Sequence, residues 1–115
     1  MTDRQHLDEE ALAELQDVME DEFDVLIQTY IVDSRDRIAS LKTALAAADA
    51  DAFARTAHSL KGSCINIGAP RLGELCLEAE EAGKVPDLVE ASRLVGAIEQ
   101  EFVTVTSLLE GFLVR

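Results

Sequence analysis

Apolar residues in the last third of the chain recur at alternating intervals of three and four residues. Such an alternation, kept without interruption, forms the 3.5-residue seam along which helices pack in a left-handed bundle. It predicts a long helix over about 86–113 that buries one stripe against neighbouring helices. The stripe consists of Leu88, Ala91, Val95, Ile98, Phe102, Val105, Leu109 and Phe112.

A second stripe of the same spacing predicts another long helix over about 22–48. Its members are Ile27, Ile31, Ser34, Ile38, Leu41 and Leu45, and Phe23, Leu26 and Tyr30 widen it at the N-terminal end. Shorter stripes predict helices over about 8–19 (Leu12, Leu15 and Val18 or Met19), 50–67 and 70–82. Residues that favour helix ends mark where these helices start and stop. Asp8 and the segment 49–51 are candidate N-caps, Gly68 and Gly83 are expected to end helices, and Pro70 is expected in a first turn.

Because the connections are short, consecutive helices should lie antiparallel. We therefore expect an all-α fold, an antiparallel up-down-up-down four-helix bundle formed by the second to fifth helices, with a short N-terminal helix covering one end. The 115 residues fit a single domain, 1–115. Residues 1–6 are expected to be disordered.

Composition agrees with a helical fold and narrows the possible partners. Six glycines and two prolines are too few for an all-β chain. A formal net charge of −13 repels nucleic acid and anionic lipid, so neither is expected as a partner. Cys64 and Cys76 both fall on apolar helix faces, which favours buried free thiols over a disulfide. With no leader or membrane-spanning segment in the sequence, we expect a cytoplasmic protein.

The third predicted helix carries an unusual outward face. Its apolar stripe is Phe53, Ala57, Leu60, Cys64 and Ile67, and at about 100° per residue His58 lies about 140° from the centre of that stripe. Ala54, Arg55, Lys61, Gly62 and Ile65 should surround it. A glycine inside a helix costs about 1 kcal/mol relative to alanine, which invites a functional explanation. An imidazole, a nearby cation and a cleared surface are what phosphoryl transfer to a histidine requires.

The same stretch resembles the signature of histidine-containing phosphotransfer (HPt) domains of two-component phosphorelays. The family pattern, His-x-x-Lys-Gly followed by Gly-Ala, is matched by His58, Lys61, Gly62, Gly68 and Ala69. Ser63 and Asn66, the start of the second helix and the region around Leu72, Cys76 and 78–80 are similar to the family as well. The resemblance implies a helical bundle. It also implies a monomeric carrier that accepts a phosphoryl group from the receiver domain of a hybrid sensor kinase and donates it to a response regulator.

The resemblance assigns His58 as the phosphorylated residue, and we expect Nε2 to be its nucleophile. Lys61 would disfavour protonation of the imidazole and then offset part of the roughly −2 charge of the phosphoryl group. Gly62 would clear the approach path. No metal or cofactor is expected on this chain, since in the family Mg²⁺ belongs to the receiver. The sequence has no nucleotide-binding glycine motif, so no kinase activity of its own is expected.

Three further residues are candidates for the partner surface, each with a simpler alternative. Arg55 could contribute to the positive field or could pair with Asp51 one turn earlier. Ser59 could hydrogen-bond the phosphoryl group, although a capping or solvent role is also open. The family usually has a small residue at the position of Ile65, which could be an exposed partner contact or could pack against a neighbouring helix.

Two other functions fit parts of the sequence. The phosphoacceptor domain of a sensor kinase also carries a histidine near a basic residue, but it normally has an acidic residue next and a proline five residues on, where this chain has Ser59 and Ser63. A non-catalytic acidic adaptor would make His58 incidental. A metal enzyme is disfavoured because His6 and His58 are far apart in the sequence. If the chain is complete with its own Met1, we expect a stand-alone HPt protein rather than a module of a hybrid kinase.

Overall fold

The computed structural model describes residues 5–113, and within that range the chain forms five helices and no strand. They are α1 (Glu9–Met19), α2 (Glu22–Ala46), α3 (Ala50–Ile67), α4 (Pro70–Lys84) and α5 (Leu88–Leu113). Each long helix packs on the next one in sequence, and α5 packs back against α2. The predicted all-α four-helix bundle with a short preceding helix is thereby confirmed.

The core is built from the predicted stripes. Every member of the α5 stripe except the half-buried Leu88 is buried, and so is the inward face of α3. Cys64 and Cys76 are buried and free, as predicted. The Tyr30 hydroxyl lies 3.2 Å from the Cys64 sulfur, which gives the one polar group of this aromatic side chain a partner inside the core.

The N-terminal ends of three helices are held by aspartate side chains. Asp8 accepts a hydrogen bond from the Ala11 N–H at 3.1 Å, and Asp49 accepts one from the Ala52 N–H at 3.0 Å. Asp87 accepts one from the Glu90 N–H at 3.1 Å. Each bond satisfies a backbone donor that has no partner within its helix. The first two confirm the predicted caps, and the third explains why α5 begins at Leu88 rather than at the earlier position expected.

Other helix ends differ from expectation. Helix α2 stops at Ala46 instead of 48, because Ala48 takes a left-handed φ of 53° that turns the chain towards α3. Helix α4 continues through Gly83 to Lys84. Gly83 is therefore a helical residue, whereas Gly68 ends α3 at a φ of 86°, as predicted for a terminal glycine.

Gly83 fits inside the helix because it lets α4 approach α3 closely. A Cβ at this position would lie 3.1 Å from both the Cβ and the backbone nitrogen of Ala54. Ala54 is accordingly buried, and its expected place on the outward face beside His58 is wrong. The close approach brings the exposed side of α3 within reach of side chains from α4.

The N-terminal segment is more ordered than expected. Gln5 accepts a hydrogen bond from the Arg71 N–H at 3.2 Å, and His6 Nδ1 lies 2.6 Å from a carboxylate oxygen of Glu101. The predicted disorder therefore does not extend to residues 5 and 6, while residues 1–4 lie outside the described range. In the first helix Val18 is 81% exposed and Met19 is the residue that packs on the core.

Candidate functional site

His58 projects from the middle of α3 into solvent, with 66% of its side chain exposed. The neighbouring stripe residues Ala57 and Leu60 are fully buried, so the orientation of the helix leaves His58 on the outer face. The outward position predicted from the helical repeat is confirmed. An imidazole in this position is accessible to another protein.

A buried carboxylate from α4 holds one edge of this ring. His58 Nδ1 lies 3.0 Å from Oε2 of Glu80, a residue that is only 6% exposed. The same carboxylate accepts hydrogen bonds from Lys61 Nζ at 2.9 Å and forms an ion pair with Lys84 Nζ at 3.2 Å. Glu80 thus joins one side chain from its own helix and two from α3 in a single cluster.

The Glu80 carboxyl is strongly acidic in this setting. Burial opposes its ionisation, but the hydrogen bonds from Lys61, Lys84 and His58 together outweigh that cost, so that its pKa falls from 4.5 to about 2. An ionised carboxylate only accepts hydrogen bonds. His58 therefore donates its Nδ1 hydrogen to Glu80, and the lone pair of the neutral ring lies on Nε2.

Lys61 stands one turn from His58, as the sequence predicts, but its ammonium group points at Glu80. Its side chain is 21% exposed, much less than that of Lys84. Two ammonium groups surround one carboxylate, so the cluster keeps an excess of one positive charge. That excess lies beside the imidazole and can attract an anionic group.

The surface beyond Lys61 is open. A Cβ built on Gly62 would meet nothing within 4 Å, so this glycine is not required by the packing of the bundle. Glycine lowers the stability of the helix at this position, and no packing contact within the bundle compensates for that loss. The absence of a side chain at this point leaves the flank of His58 clear.

Ile65 is exposed and also packs against a neighbouring helix. The side chain is 60% exposed, yet its Cγ1 would be 3.1 Å from a Cβ on Gly73, so it leans on α4 at a point where α4 has no side chain. Ile65, Gly73 and Leu77 line a groove of about 370 Å³ that extends to Lys61. The position provides exposed apolar surface close to the histidine.

Arg55 and Ser59 take partners within the protein. Arg55 pairs with Asp51 one turn earlier, the simpler alternative, and both side chains are exposed. Ser59 Oγ accepts a hydrogen bond from Nε of Arg37 on α2 at 2.9 Å. Neither residue contacts the Glu80 cluster in this arrangement.

Comparison with known proteins agrees with this geometry. The family model described as "Hpt domain" matches residues 25–108. The chain belongs to the Hpt domain family. It is thus a histidine phosphotransfer protein of a phosphorelay, a class of phosphocarrier that interacts with receiver domains.

A solved structure is similar over nearly the whole Hpt fold. It is the crystal structure of histidine-containing phosphotransfer protein B (HptB) from Pseudomonas aeruginosa PAO1, 45% identical to this chain, with 92% of each chain covered and a TM-score of 0.88. No curated protein sequence matches the chain. None of the helices within residues 5–113 has an apolar stretch long enough to cross a bilayer.

Sequence reasoning missed Glu80, which contacts His58 and Lys61, and Arg37, which contacts Ser59. Both come from helices other than α3, so the motif around His58 does not contain them. A signal for Glu80 exists: it falls on the buried stripe of α4, one turn after Cys76. A carboxylate on a buried face needs partners, and in this protein they are the site's own cations.

Proposed function

We propose that this Hpt protein carries the phosphoryl group on Nε2 of His58. The observation that carries the proposal is the contact between His58 Nδ1 and the ionised, buried Glu80. That contact keeps the Nδ1 hydrogen in place and leaves the Nε2 lone pair directed at solvent. In the neutral ring this lone pair is the nucleophile that attacks phosphorus.

The transfer step follows from these atoms. Nε2 attacks the phosphorus of an aspartyl phosphate on a receiver domain; the N–P bond forms as the P–O bond breaks, and the aspartate leaves as a carboxylate. The ring then carries hydrogen on Nδ1 and phosphorus on Nε2 and is positively charged. The Glu80 carboxylate, 3.0 Å from Nδ1, stabilises that charge. Transfer to the next receiver reverses these bond changes.

Lys61 and Gly62 support this step in different ways. Together with Lys84, Lys61 supplies the excess positive charge that offsets the charge on the phosphoryl oxygens. Gly62 lets the loops of a receiver approach Nε2 without meeting a side chain. We infer that Ile65 is an apolar contact for the docked receiver, because it lies exposed on the same flank.

We further propose that the donor is the receiver domain of a hybrid sensor kinase and the acceptor a response regulator. Mg²⁺ would be supplied by the receiver. The chain would act as a monomeric carrier in the cytoplasm, without binding ATP and without kinase activity. Light scattering tests the monomer, and incubation with labelled ATP alone tests the absence of autophosphorylation.

Label transfer from a phosphorylated receiver domain tests the assignment of His58. The protein has only two histidines, so His6→Gln is a matched control for His58→Gln. We expect acid-labile, base-stable label on the wild type and on His6→Gln, and none on His58→Gln. Phosphorus NMR of the labelled protein should show substitution at Nε2. Label retained by His58→Gln, or absent from the wild type across a broad panel of receivers, would contradict the proposal.

A further inference from the structure

Most basic residues of the described chain form an ion pair with a nearby carboxylate. Ion pairs engage Lys42, Arg55, Lys61, Arg71, Lys84 and Arg93. Among residues 5–113 the two basic residues outside any such pair are Arg35 and Arg37, both on α2. In a chain with a net charge of −13, carboxylates outnumber basic residues, so an arginine without an ion pair is unusual.

Arg37 lies beside the phosphotransfer site, on the side opposite the Glu80 cluster. His58 reaches towards α4, whereas Ser59, the next residue, accepts the hydrogen bond from Arg37 Nε at 2.9 Å. Asp33, Asp36 and Ser40 share a shallow depression with Arg37, but neither carboxylate is within ion-pair distance. The guanidinium is therefore held at the edge of the site by a neutral hydroxyl group.

This arrangement leaves the two terminal nitrogens of Arg37, with their four N–H groups, for another acceptor. A guanidinium presents these donors as a rigid fork that matches a carboxylate. Because Ser59 already fixes Nε, less side-chain entropy is lost when a partner binds. The geometry suits recognition of an acidic group that arrives from outside.

We propose that Arg37 is a partner-recognition residue that binds a carboxylate of the docked receiver domain. The inference rests on the proposed function, in which a receiver delivers an aspartyl phosphate to His58. A receiver holds Mg²⁺ next to that aspartate, and Mg²⁺ is bound through carboxylates. The carboxylates that hold the Mg²⁺ are engaged by the metal, so Arg37 would pair with another carboxylate at the rim of the receiver's site, while the Lys61 and Lys84 cluster on the other side of the imidazole serves the phosphoryl oxygens.

The experiment compares Arg37→Gln with Arg35→Gln. Both variants remove one positive charge from α2, but Arg35 lines the groove between α2 and α5, away from the Ser59 side of the helix. The rate of label transfer is measured against receiver concentration at low ionic strength, with the receiver domain that labels the wild type fastest. For Arg37→Gln we expect about a fivefold rise in the half-saturating receiver concentration, the size expected for one charge pair at the rim of an interface.

The maximal rate and the lifetime of the phosphohistidine should be unchanged, and Arg35→Gln should behave like the wild type. Added salt should narrow the difference between Arg37→Gln and the wild type, because exposed charge pairs are screened.

Other outcomes overturn the inference. A fall in maximal rate or in phosphohistidine lifetime, with unchanged half-saturation, would mean that Arg37 acts on the phosphoryl group instead. Equal effects of the two variants would mean that Arg37 acts only through the net charge of the protein. Label on the wild type with no effect of Arg37→Gln would contradict this inference alone. Absence of label on the wild type would overturn the proposed function together with it.

Discussion

Replacing Glu80 with glutamine removes the charge that holds the site together while keeping its shape. The amide can still accept a hydrogen bond from Lys61, but the cations of Lys61 and Lys84 lose their neutralising partner. Lys61 suffers most, because its side chain is only 21% exposed. We expect Glu80→Gln to be less stable than the wild type at neutral pH.

The size of the effect follows from the lowered pKa. A fall from 4.5 to about 2 corresponds to at most about 3 kcal/mol of stabilisation at neutral pH. His58 and Lys84 are 66% and 65% exposed, so solvent screens their share. We therefore expect a loss of about 2 kcal/mol in the free energy of unfolding.

The pH dependence has a definite sign. Because the pKa of Glu80 is lower in the folded state, its contribution is complete above the ordinary value of 4.5 and is lost as the pH falls through about 2. Urea unfolding followed by circular dichroism at pH 7 and pH 3 measures this. The difference between wild type and Glu80→Gln should shrink at pH 3 to less than half of its value at pH 7.

Glu81→Gln is the matched control, since Glu81 is the next residue on α4 and is exposed. Its loss should stay within about 0.5 kcal/mol, as is usual for surface positions. The reasoning would be refuted if the two variants were equally destabilised. A loss in Glu80→Gln that is the same at pH 7 and pH 3 would refute it as well.

Three further substitutions test the surface and the packing. Gly62→Ala should raise stability by up to about 1 kcal/mol and slow label transfer from a receiver. Gly96→Ala, also with open space around it, should raise stability without slowing transfer. Faster or unchanged transfer in Gly62→Ala would contradict the role of Gly62 in keeping the approach to His58 open. Ile65→Ala should change the relative transfer rates among a panel of receivers, whereas Val103→Ala, at an exposed apolar position on α5, should not. If Ile65→Ala transferred label at the wild-type rate with every receiver, the proposed contact would be contradicted. Gly83→Ala should lower the thermal midpoint and cost about 1–3 kcal/mol, and an unchanged midpoint would show that the helices separate easily.

The helices were predictable because each has apolar residues that recur at helical spacing along its own sequence. The stripe of α5 and the inward face of α3 are buried as the spacing requires. Helix ends were harder, because glycine has two uses that look alike in a sequence. Gly68 ends its helix through a left-handed backbone, whereas Gly83 continues its helix and gives room to Ala54.

The site was predictable only as far as it lies on one helix. The relative positions of His58, Lys61, Gly62 and Ile65 follow from the geometry of α3 alone. The contacts of Glu80 and Arg37 depend on how far α4 and α2 are shifted along α3. That shift is decided by side-chain packing across the bundle, which no local pattern encodes. For the same reason the ion pair between Lys61 and Glu80 was not predicted.

Gly62 and Gly83 are both helical glycines, but the space beside them is used in different ways. Each lies inside a helix, where glycine lowers helix stability, and each leaves out a Cβ at the surface of that helix. At Gly83 the approaching surface is α3 itself, which brings Glu80 within 3.0 Å of His58. At Gly62 nothing in the described chain approaches, and the space stays open. Glycine lowers helix stability at this position and no packing contact compensates for it, so we propose that the space serves a receiver that reaches Nε2.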